Sequence, residues 1–209
     1  MMIVIEKDDN YDDRHSQGVY MPPSTRQTMI AGAASLLARR GMGGTSFSEL
    51  LAATGAPRGS LYHHFPGGKE ELIAEATRYV GDRLLAGLGV DGPCTPADLV
   101  EQFTSLWRRV LTGSDFEAGC AAAAVAVDAG PDQLALIEVV GAVFQEWRDA
   151  LAERLEGAGM PPDQSADLAL FALVSMEGAL VVCRAQRRLD DFDRVAALLR
   201  SLAVNGDSA

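Results

Sequence analysis

Hydrophobic residues recur at spacings of three and four along most of the chain, which is the pattern of helices with one buried face. The first such segment begins at Ser24 or Thr25, continues to Arg40 and is ended by Gly41. Its inward positions are occupied by Ile30, Ala33, Ala34 and Leu37. No segment combines a period of two with an enrichment in β-branched residues, the combination typical of strands. The pattern therefore predicts an all-α fold.

Two short helices joined by a tight turn are predicted for residues of about 46–65. Ser46 and Glu49 have the spacing of a capping box, in which each side chain satisfies a free amide at a helix start. Gly55 suits the end of that helix, and Pro57 suits the first turn of the next one. The apolar face of the first helix consists of Phe47, Leu50 and Leu51.

The second helix of this pair has an apolar inner face and a polar outer face. With about 3.6 residues per turn, Leu61 and Phe65 fall on the inner face, and Arg58 and Tyr62 lie on its flank. The outer positions are Gly59, Ser60, His63 and His64. Small residues followed by polar and aromatic ones suit close approach to the major groove of DNA. A helical corner that never touches DNA is the alternative interpretation.

The remaining chain reads as six more helical segments. These are 69–88, 95 or 96–111, 119–128, 133–156, 162–188 and 192–204. Residues 87–92 match the glycine pattern of dinucleotide-binding loops letter for letter, but a helix precedes them and Pro93 follows. That pattern has a mechanism only between a strand and a helix, so we expect a loop and no cofactor.

Charge is divided unevenly along the chain, whose formal net charge is −11. Residues 24–69 hold five basic side chains and one acidic side chain, Glu49. Residues 70–209 hold 11 basic and 23 acidic side chains. Phosphate binding needs a local basic patch and not a basic protein, so this division favours nucleic-acid binding by the first of these two regions.

The cysteines Cys94, Cys120 and Cys183 are odd in number and widely spaced, which supports neither a disulfide framework nor a zinc site. A reduced, cytoplasmic setting is the simplest expectation, and the acidic first residues do not resemble a signal peptide. The longest apolar run, residues 168–183, has 16 residues and contains Glu177. Because this is short for a bilayer span, we expect a helix buried between two subunits.

The stretch 26–84 resembles the DNA-binding domain of the TetR family of bacterial transcriptional regulators. The residues that carry the resemblance are Ala33-Ala34, Gly41, Thr45-Ser-Phe47, Gly55, Gly59–Phe65 and Lys69–Leu72. The double glycine at 67–68 is one residue longer than the commonest family form and is similar to the LmrA/YxaF branch, as is Gly119-Cys120 before an Ala/Val run. Pro57 stands where relatives often carry a Ser or Thr cap.

The resemblance implies roles for several residues of this region. Thr45 or Ser46, together with Tyr62, would give hydroxyl groups to phosphates, and Lys69 would add its ammonium at a helix start. The candidates for contact with base edges are Arg58, Gly59, Ser60 and His63. His64 either contacts a phosphate or packs beside the first helix.

We therefore expect a disordered acidic tail at 1–23, a DNA-binding domain at 24–84 and a helical domain for effector binding and dimerisation at 85–209. The start of the DNA-binding domain also suits a natural initiation at Met21, which would make the preceding residues dispensable. Candidates for lining a ligand pocket, with plain core packing as the alternative, are Phe103, Trp107, Cys120, Phe144, Trp147 and Met176. The resemblance implies a four-helix dimer interface, with intramolecular core as the alternative, on Leu168, Phe171, Ala172, Ser175, Ala179 and Leu198.

The expected function is a homodimeric DNA-binding transcriptional regulator. Repression at a palindromic operator, relieved by a small and largely apolar effector, is the favoured form. Control by a protein partner in place of a small molecule is the first alternative. An all-α enzyme is the remote one, because residues 85–209 contain no His, no paired metal ligands and no Cys beside a base in sequence.

Overall fold

Helices are the regular elements of the protein in a computed structural model, which describes residues 24–88 and 95–205; no strand occurs within those ranges. The all-α prediction is confirmed. The predicted acidic tail at 1–23, most of the predicted loop at 87–93, and Cys94 lie outside the described residues.

The first four helices form a compact head and a long connecting helix. They are α1 (Thr25–Arg40), α2 (Phe47–Thr54), α3 (Arg58–His64) and α4 (Gly68–Gly87). Ser24 caps α1 in a full capping box with Gln27, and Gly41 ends the helix as predicted. Helix α4 begins and ends one residue earlier than the predicted helix at 69–88.

The head has its own apolar core, which fixes the orientation of α3. Leu61 and Phe65 of the inner face are fully buried. The core residues that α1, α2 and α4 contribute are Met29, Ala33, Leu37, Leu50, Leu72, Ile73 and Ala76. The inward face predicted for α3 is therefore confirmed, and its other side is directed outward.

Five helices make up the second domain. They are α5 (Pro96–Gly113), α6 (Ala121–Asp128), α7 (Leu134–Gly157), α8 (Pro162–Gln186) and α9 (Asp190–Asn205). Helix α7 packs against α8 and against α4, and α9 packs against α5 and α8. Arg187, with a left-handed φ of 54°, ends α8 two residues before the predicted end. Helix α6 begins after the predicted Gly119 because Cys120 is its cap residue.

Helix α8 is long and apolar enough to cross a membrane by length and composition. Buried core helices of soluble proteins pass the same test. Here one side of α8, which includes Ala172 and Met176, is fully buried against the rest of the protomer. Part of the apolar run at 168–183, which we expected to be buried between two subunits, therefore packs into the core of one protomer.

Candidate nucleic-acid interface

The turn between α2 and α3 depends on one glycine. Gly55 has φ 66° and ψ 11°, a left-handed conformation that residues with a Cβ adopt at a cost. Pro57 is the cap residue of α3, so it stands one position before the predicted first turn. No side chain caps the start of α3. At the start of α2, Ser46 and Glu49 form the predicted capping box.

The outer side of α3 presents a continuous exposed surface. Arg58, Gly59, Tyr62 and His63 are all exposed. Tyr62 is 71% exposed and meets the ring of Phe47 edge-on, with centroids 6.0 Å apart. No atom lies within 4 Å of a Cβ built on Gly59, so the backbone there is open to close approach. The structure thus brings these four candidates together on one face.

Two candidates on α3 are less accessible. Ser60 is half-buried, and its hydroxyl donates to the carbonyl of Pro57 at 2.6 Å. His64 is also half-buried and lies edge-on to His63, with ring centroids 5.2 Å apart. The hydroxyl proton of Ser60 is therefore already used within the chain, which leaves only its oxygen lone pairs for a partner.

The role expected of the Thr45 hydroxyl is wrong. Thr45 is only 1% exposed, and its hydroxyl donates to the carbonyl of Gly41 at 2.8 Å. This side chain closes the turn after α1 and offers nothing to a phosphate. Ser46 is half-buried, and its hydroxyl bonds within the capping box. Ser48, at the same helix start, is exposed, but its hydroxyl donates to that of Ser46 at 3.0 Å, because the Ser46 hydroxyl donates to Glu49.

Lys69 connects the start of α4 to the turn after α1. Its Nζ donates to the carbonyl of Met42 at 2.8 Å. An ammonium has three donors, so two remain for an anion. Just before it, Gly68 has φ 77°, so the second glycine of the pair has a conformational function.

Most of the cations in the head are already paired. Arg26 pairs with Glu75 at 3.1 Å, Arg39 with Glu117, and Arg40 with Glu49 at 3.1 Å. Within residues 24–88 and 95–205, no carboxylate lies within ion-pair distance of Arg58 or Lys69. Of the five basic side chains counted in residues 24–69, only Arg58 and Lys69 therefore have no ion-pair partner among the described residues. Arg58 lies on α3.

The end of α6 holds the turn between α1 and α2. A carboxylate oxygen of Asp128 accepts the amide N–H of Met42 at 2.8 Å. Lys69 binds the carbonyl of the same residue, so both polar groups of the Met42 peptide are fixed from outside the turn. Asp128 was not predicted as a functional residue. It could have been suspected from its place at the end of α6, because a carboxylate there interacts unfavourably with the helix dipole unless another group compensates it.

Two further contacts join the end of α1 to the second domain. The amide of Gly119 donates to the carbonyl of Ala38 at 2.8 Å, and the guanidinium of Arg184 donates to the carbonyl of Arg39 at 2.7 Å. The last carbonyls of a helix have no partner within the helix. Groups of the second domain thus complete the hydrogen bonding of α1.

Helices α4 and α7 cross closely at Gly81. A Cβ built there would lie 3.2 Å from both methyl groups of Val143. The indole N–H of Trp147 donates to the carbonyl of Gly81 at 3.1 Å. The helix that carries the head is therefore anchored to the middle of the second domain.

The predicted pocket residues are, in this structure, mostly core. Phe103, Trp107, Trp147 and Met176 are buried, and Phe144 is half-buried. Trp107 meets Trp147 at 5.5 Å between centroids, and Phe144 meets Trp147 at 5.6 Å. The aromatic residues therefore form one cluster, as both the core and the pocket interpretations require.

Cys120 has a neighbour that the sequence analysis did not connect to it. Burial, followed by the nearby charge of Glu177, raises the pKa of the Cys120 thiol well above its usual value. Desolvation raises the pKa of Glu177 to about 7. The feature of the sequence that could have pointed to this pair is Glu177 itself, the single acidic residue in the apolar run at 168–183. These directions describe an unreactive thiol.

The predicted dimer surface needs correction on α8. Leu168, Ala172 and Ala179 are buried inside the protomer and cannot form an outer surface. Phe171 and Leu198 are exposed, and Ser175 is half-buried. The exposed large apolar residues of these two helices form what we call the α8–α9 face: Leu170, Phe171, Val174, Val181, Val182, Leu198, Leu202 and Val204.

Comparison with known protein families identifies both parts of the chain. Residues 29–76 match the family model of bacterial regulatory proteins of the tetR family. Residues 96–198 match the model of the C-terminal domain of LmrA/YxaF-like transcriptional regulators. The two matches cover most of the head, the first half of α4 and most of the second domain.

Individual relatives agree with these matches. An uncharacterized HTH-type transcriptional regulator of Mycobacterium tuberculosis is 38% identical over 185 residues, which cover 86% of this chain and 94% of the relative. A TetR regulator from Legionella pneumophila has the same fold, with a TM-score of 0.77, 19% identity and coverage of 86% of this chain and 97% of that one. The regulator CifR, solved in complex with a 26-bp operator duplex, has a TM-score of 0.68 and 22% identity over 88% of this chain and 98% of its own. This chain therefore belongs to the TetR family of DNA-binding transcriptional regulators, with a C-terminal domain of the LmrA/YxaF-like kind.

Proposed function

We propose that the chain is a cytoplasmic homodimeric repressor that binds a palindromic operator and releases it when a small, largely apolar effector binds the second domain. The observation that carries the proposal is the exposed outer side of α3, where Arg58 has no carboxylate partner among the described residues. CifR, which shares this fold, is solved with operator DNA bound. Relatives at lower identity include proteins named as repressors.

The head offers groups for both kinds of DNA contact. Arg58 and His63 are proposed to reach base edges in the major groove, where arginine pairs with guanine through two hydrogen bonds. The exposed backbone at Gly59 allows the helix to approach closely. Tyr62 and the two free donors of Lys69 are proposed to contact phosphates, which position the protein without reading sequence.

The proposed dimer uses the α8–α9 face. Its members on α8 are separated by steps of three, four and seven residues, which are close to whole helical turns, so they form one stripe along the helix. Exposed apolar stripes of this kind mark protein–protein contacts. Pairing of two such faces by a twofold axis makes a symmetric interface, and the proposal requires that the two copies of α3 then lie on one side of the dimer.

Effector control requires that a ligand prefers one arrangement of the head, because a ligand that binds both arrangements equally shifts nothing. The contacts of Asp128 with Met42 and of Gly119 with Ala38 connect the second domain to the turn before α2. A shift of α6 would therefore move the head. We infer that these contacts carry the response.

The proposal is tested by capturing fragments of the organism's chromosomal DNA on the purified protein and mapping the protected bases. The expected result is a small set of fragments that share one inverted repeat, protected by a complex that contains an even number of chains. Fragments without a common sequence, retained only at low salt, would show that the head binds DNA without reading it.

A further inference from the structure

Helix α8 contains a carboxyl group whose hydrogen bonding is incomplete. The Oε1 atom of Glu177 has no solvent access and no hydrogen-bond partner. Among the described residues, the carboxyl interacts with the thiol of Cys120, at the start of α6. No lysine or arginine among residues 24–88 and 95–205 forms an ion pair with it. Arg184, two helical turns further along α8, donates instead to the carbonyl of Arg39.

A second buried polar atom of the same domain also has no partner. The indole Nε1 of Trp107, on α5, is fully buried within the aromatic cluster. Helix α5 packs against α8. Buried polar groups in folded proteins are nearly always paired, and an unpaired one costs on the order of 1–3 kcal/mol. Unpaired groups in the domain proposed to take the effector are therefore candidates for contacts that a ligand completes, but the Trp107 N–H needs an acceptor, and only the Glu177 carboxyl can accept from a cation.

We propose that Glu177 is the polar contact of the effector site and that it selects an organic amine, whose ammonium group donates to the unpaired Oε1 while its apolar body packs against the core. The proposal rests on the ligand-responsive function proposed above. In its ionised form the carboxyl can only accept hydrogen bonds, so the ligand that stabilises this form must be a donor. A cation also offsets the cost of burying a carboxylate, which a neutral donor does less well.

The position of Glu177 gives the amine a route to the head. Its neighbour Cys120 is the cap residue of α6, and its Sγ accepts the amide of Ala123 at 3.4 Å. The preceding residue, Gly119, donates to the end of α1. The far end of α6 holds Met42 through Asp128. A ligand that moves the Glu177–Cys120 pair thus acts on a helix that contacts the head at both ends.

A rival site for a cation lies on the surface between α4 and α7. This groove has a volume of about 740 Å³ and is lined by carboxylates that include Glu70, Glu71, Glu138 and Glu146. An acidic surface attracts cations without forming a specific site. The experiment must therefore separate the buried carboxyl from the exposed ones.

Three probes of similar size distinguish a preference for a cation, a neutral hydroxyl or an anion: benzylamine, benzyl alcohol and benzoate. Calorimetric titration of the full chain with each probe at millimolar concentration gives the dissociation constants. We expect benzylamine to bind at least about tenfold more tightly than benzoate, with benzyl alcohol between them. In Glu177→Gln this preference should fall to within about threefold, since the neutral amide no longer favours a cation. The control Glu146→Gln removes an exposed carboxylate of the rival groove and should keep the wild-type preference.

Proton release provides a readout that a merely structural role would not change. At pH 6, Glu177 is mostly protonated, and pairing with an ammonium ionises it. Titrations in buffers of different ionisation enthalpy should report release of close to one proton per benzylamine in the wild type and none in Glu177→Gln. Operator binding without ligand, measured in parallel for the wild type and Glu146→Gln, should be equal in these two proteins, so a failure of DNA binding is recognised separately.

Three results would overturn the inference. The first is equal affinity of the wild type for benzylamine and benzoate, or no binding of benzylamine at all. The second is an unchanged preference in Glu177→Gln. The third is loss of the preference in Glu146→Gln alone, which would assign the cation to the surface groove.

Discussion

Arg58 differs from the other arginines of the head in having no acidic partner among the described residues. Arg26, Arg39 and Arg40 are each bound to a carboxylate. An unpaired guanidinium at the first position of α3 can bind a base edge without breaking an ion pair. A count of charges along the chain does not distinguish these arginines. The lack of an ion pair among the described residues singles out Arg58 as the candidate for contact with a base edge.

The first prediction concerns this residue. Arg58→Ala should weaken operator binding by about 1–3 kcal/mol and relax the base preference at one position of each half-site. Arg40→Ala is the matched control, because Arg40 is exposed but paired with Glu49. Competition binding with single-base operator variants measures both proteins. An unchanged base preference in Arg58→Ala would remove Arg58 from the reading surface.

The second prediction concerns the pH dependence of stability at Glu177. The folded-state pKa is about 7 against an ordinary value of 4.5. Between these values the folded chain holds a proton that the unfolded chain has lost, so the free energy of unfolding falls as pH rises from about 4.5 to about 7. The full loss is on the order of 3 kcal/mol.

Glu177→Gln should remove this loss. Denaturant unfolding of wild type and variant at pH 5 and at pH 8 gives the comparison. The variant should gain stability relative to the wild type at the higher pH and show little difference at the lower one. A difference between the two proteins that does not change with pH would mean that the carboxyl is ionised and solvated in the folded state.

At the residue scale, the sequence predicts inward and outward positions well but not the use of hydroxyl groups. Leu61 and Phe65 follow from helical periodicity alone. The burial of Thr45 does not, because it depends on the path of the chain after Gly41, where the hydroxyl finds a carbonyl. The Glu177–Cys120 pair joins residues far apart in sequence, which no local pattern reveals.

At the scale of elements, α6 is a short helix with contacts to the head at both ends. Its predicted bounds were nearly right, since Cys120 and Asp128 delimit it. Its function was not predicted, because the partners of Asp128 and Gly119 are backbone groups of α1 and the turn that follows. Backbone partners leave no trace in the sequence of either segment.

The third prediction tests this connection. Asp128→Ala removes the acceptor of the Met42 amide and should lower the free energy of unfolding by about 1–2 kcal/mol. It should also weaken operator binding, since the turn before α2 loses one of its two supports. Asp128→Asn keeps an acceptor oxygen and should recover most of both losses.

Asp132→Ala is the control outside the contact, because Asp132 is an exposed residue of the loop that follows α6. Chemical denaturation and fluorescence anisotropy measure the four proteins. If Asp128→Ala and Asp132→Ala behave alike, the bond to Met42 is dispensable and the proposed route to the head is wrong.

At the scale of the whole molecule, the α8–α9 face is the largest feature that one protomer leaves unexplained. The sequence predicts apolar residues on α8 but cannot separate those that face the protomer core from those that face outward, because both sets are apolar. The fold separates them: Ala172 is buried, whereas Val174 is 60% exposed.

The fourth prediction follows from that separation. Val174→Arg places a charge in the centre of the α8–α9 face and should convert the dimer to a monomer at micromolar concentration. Val127→Arg is the matched control, because Val127 is 83% exposed on α6, away from this face. Sedimentation velocity distinguishes the two states. A dimer that survives Val174→Arg would place the interface elsewhere.

The most direct test of the account is the binding of the purified protein to duplexes selected from a random library, compared with scrambled duplexes of the same composition at moderate salt. We expect a selected inverted repeat whose half-site centres lie about 34–36 Å apart, the length of one turn of the DNA helix, or a multiple of that distance. Affinity for it should exceed that for the scrambled duplex by about a thousandfold or more. Equal affinity for selected and scrambled duplexes would contradict the claim that α3 reads DNA sequence.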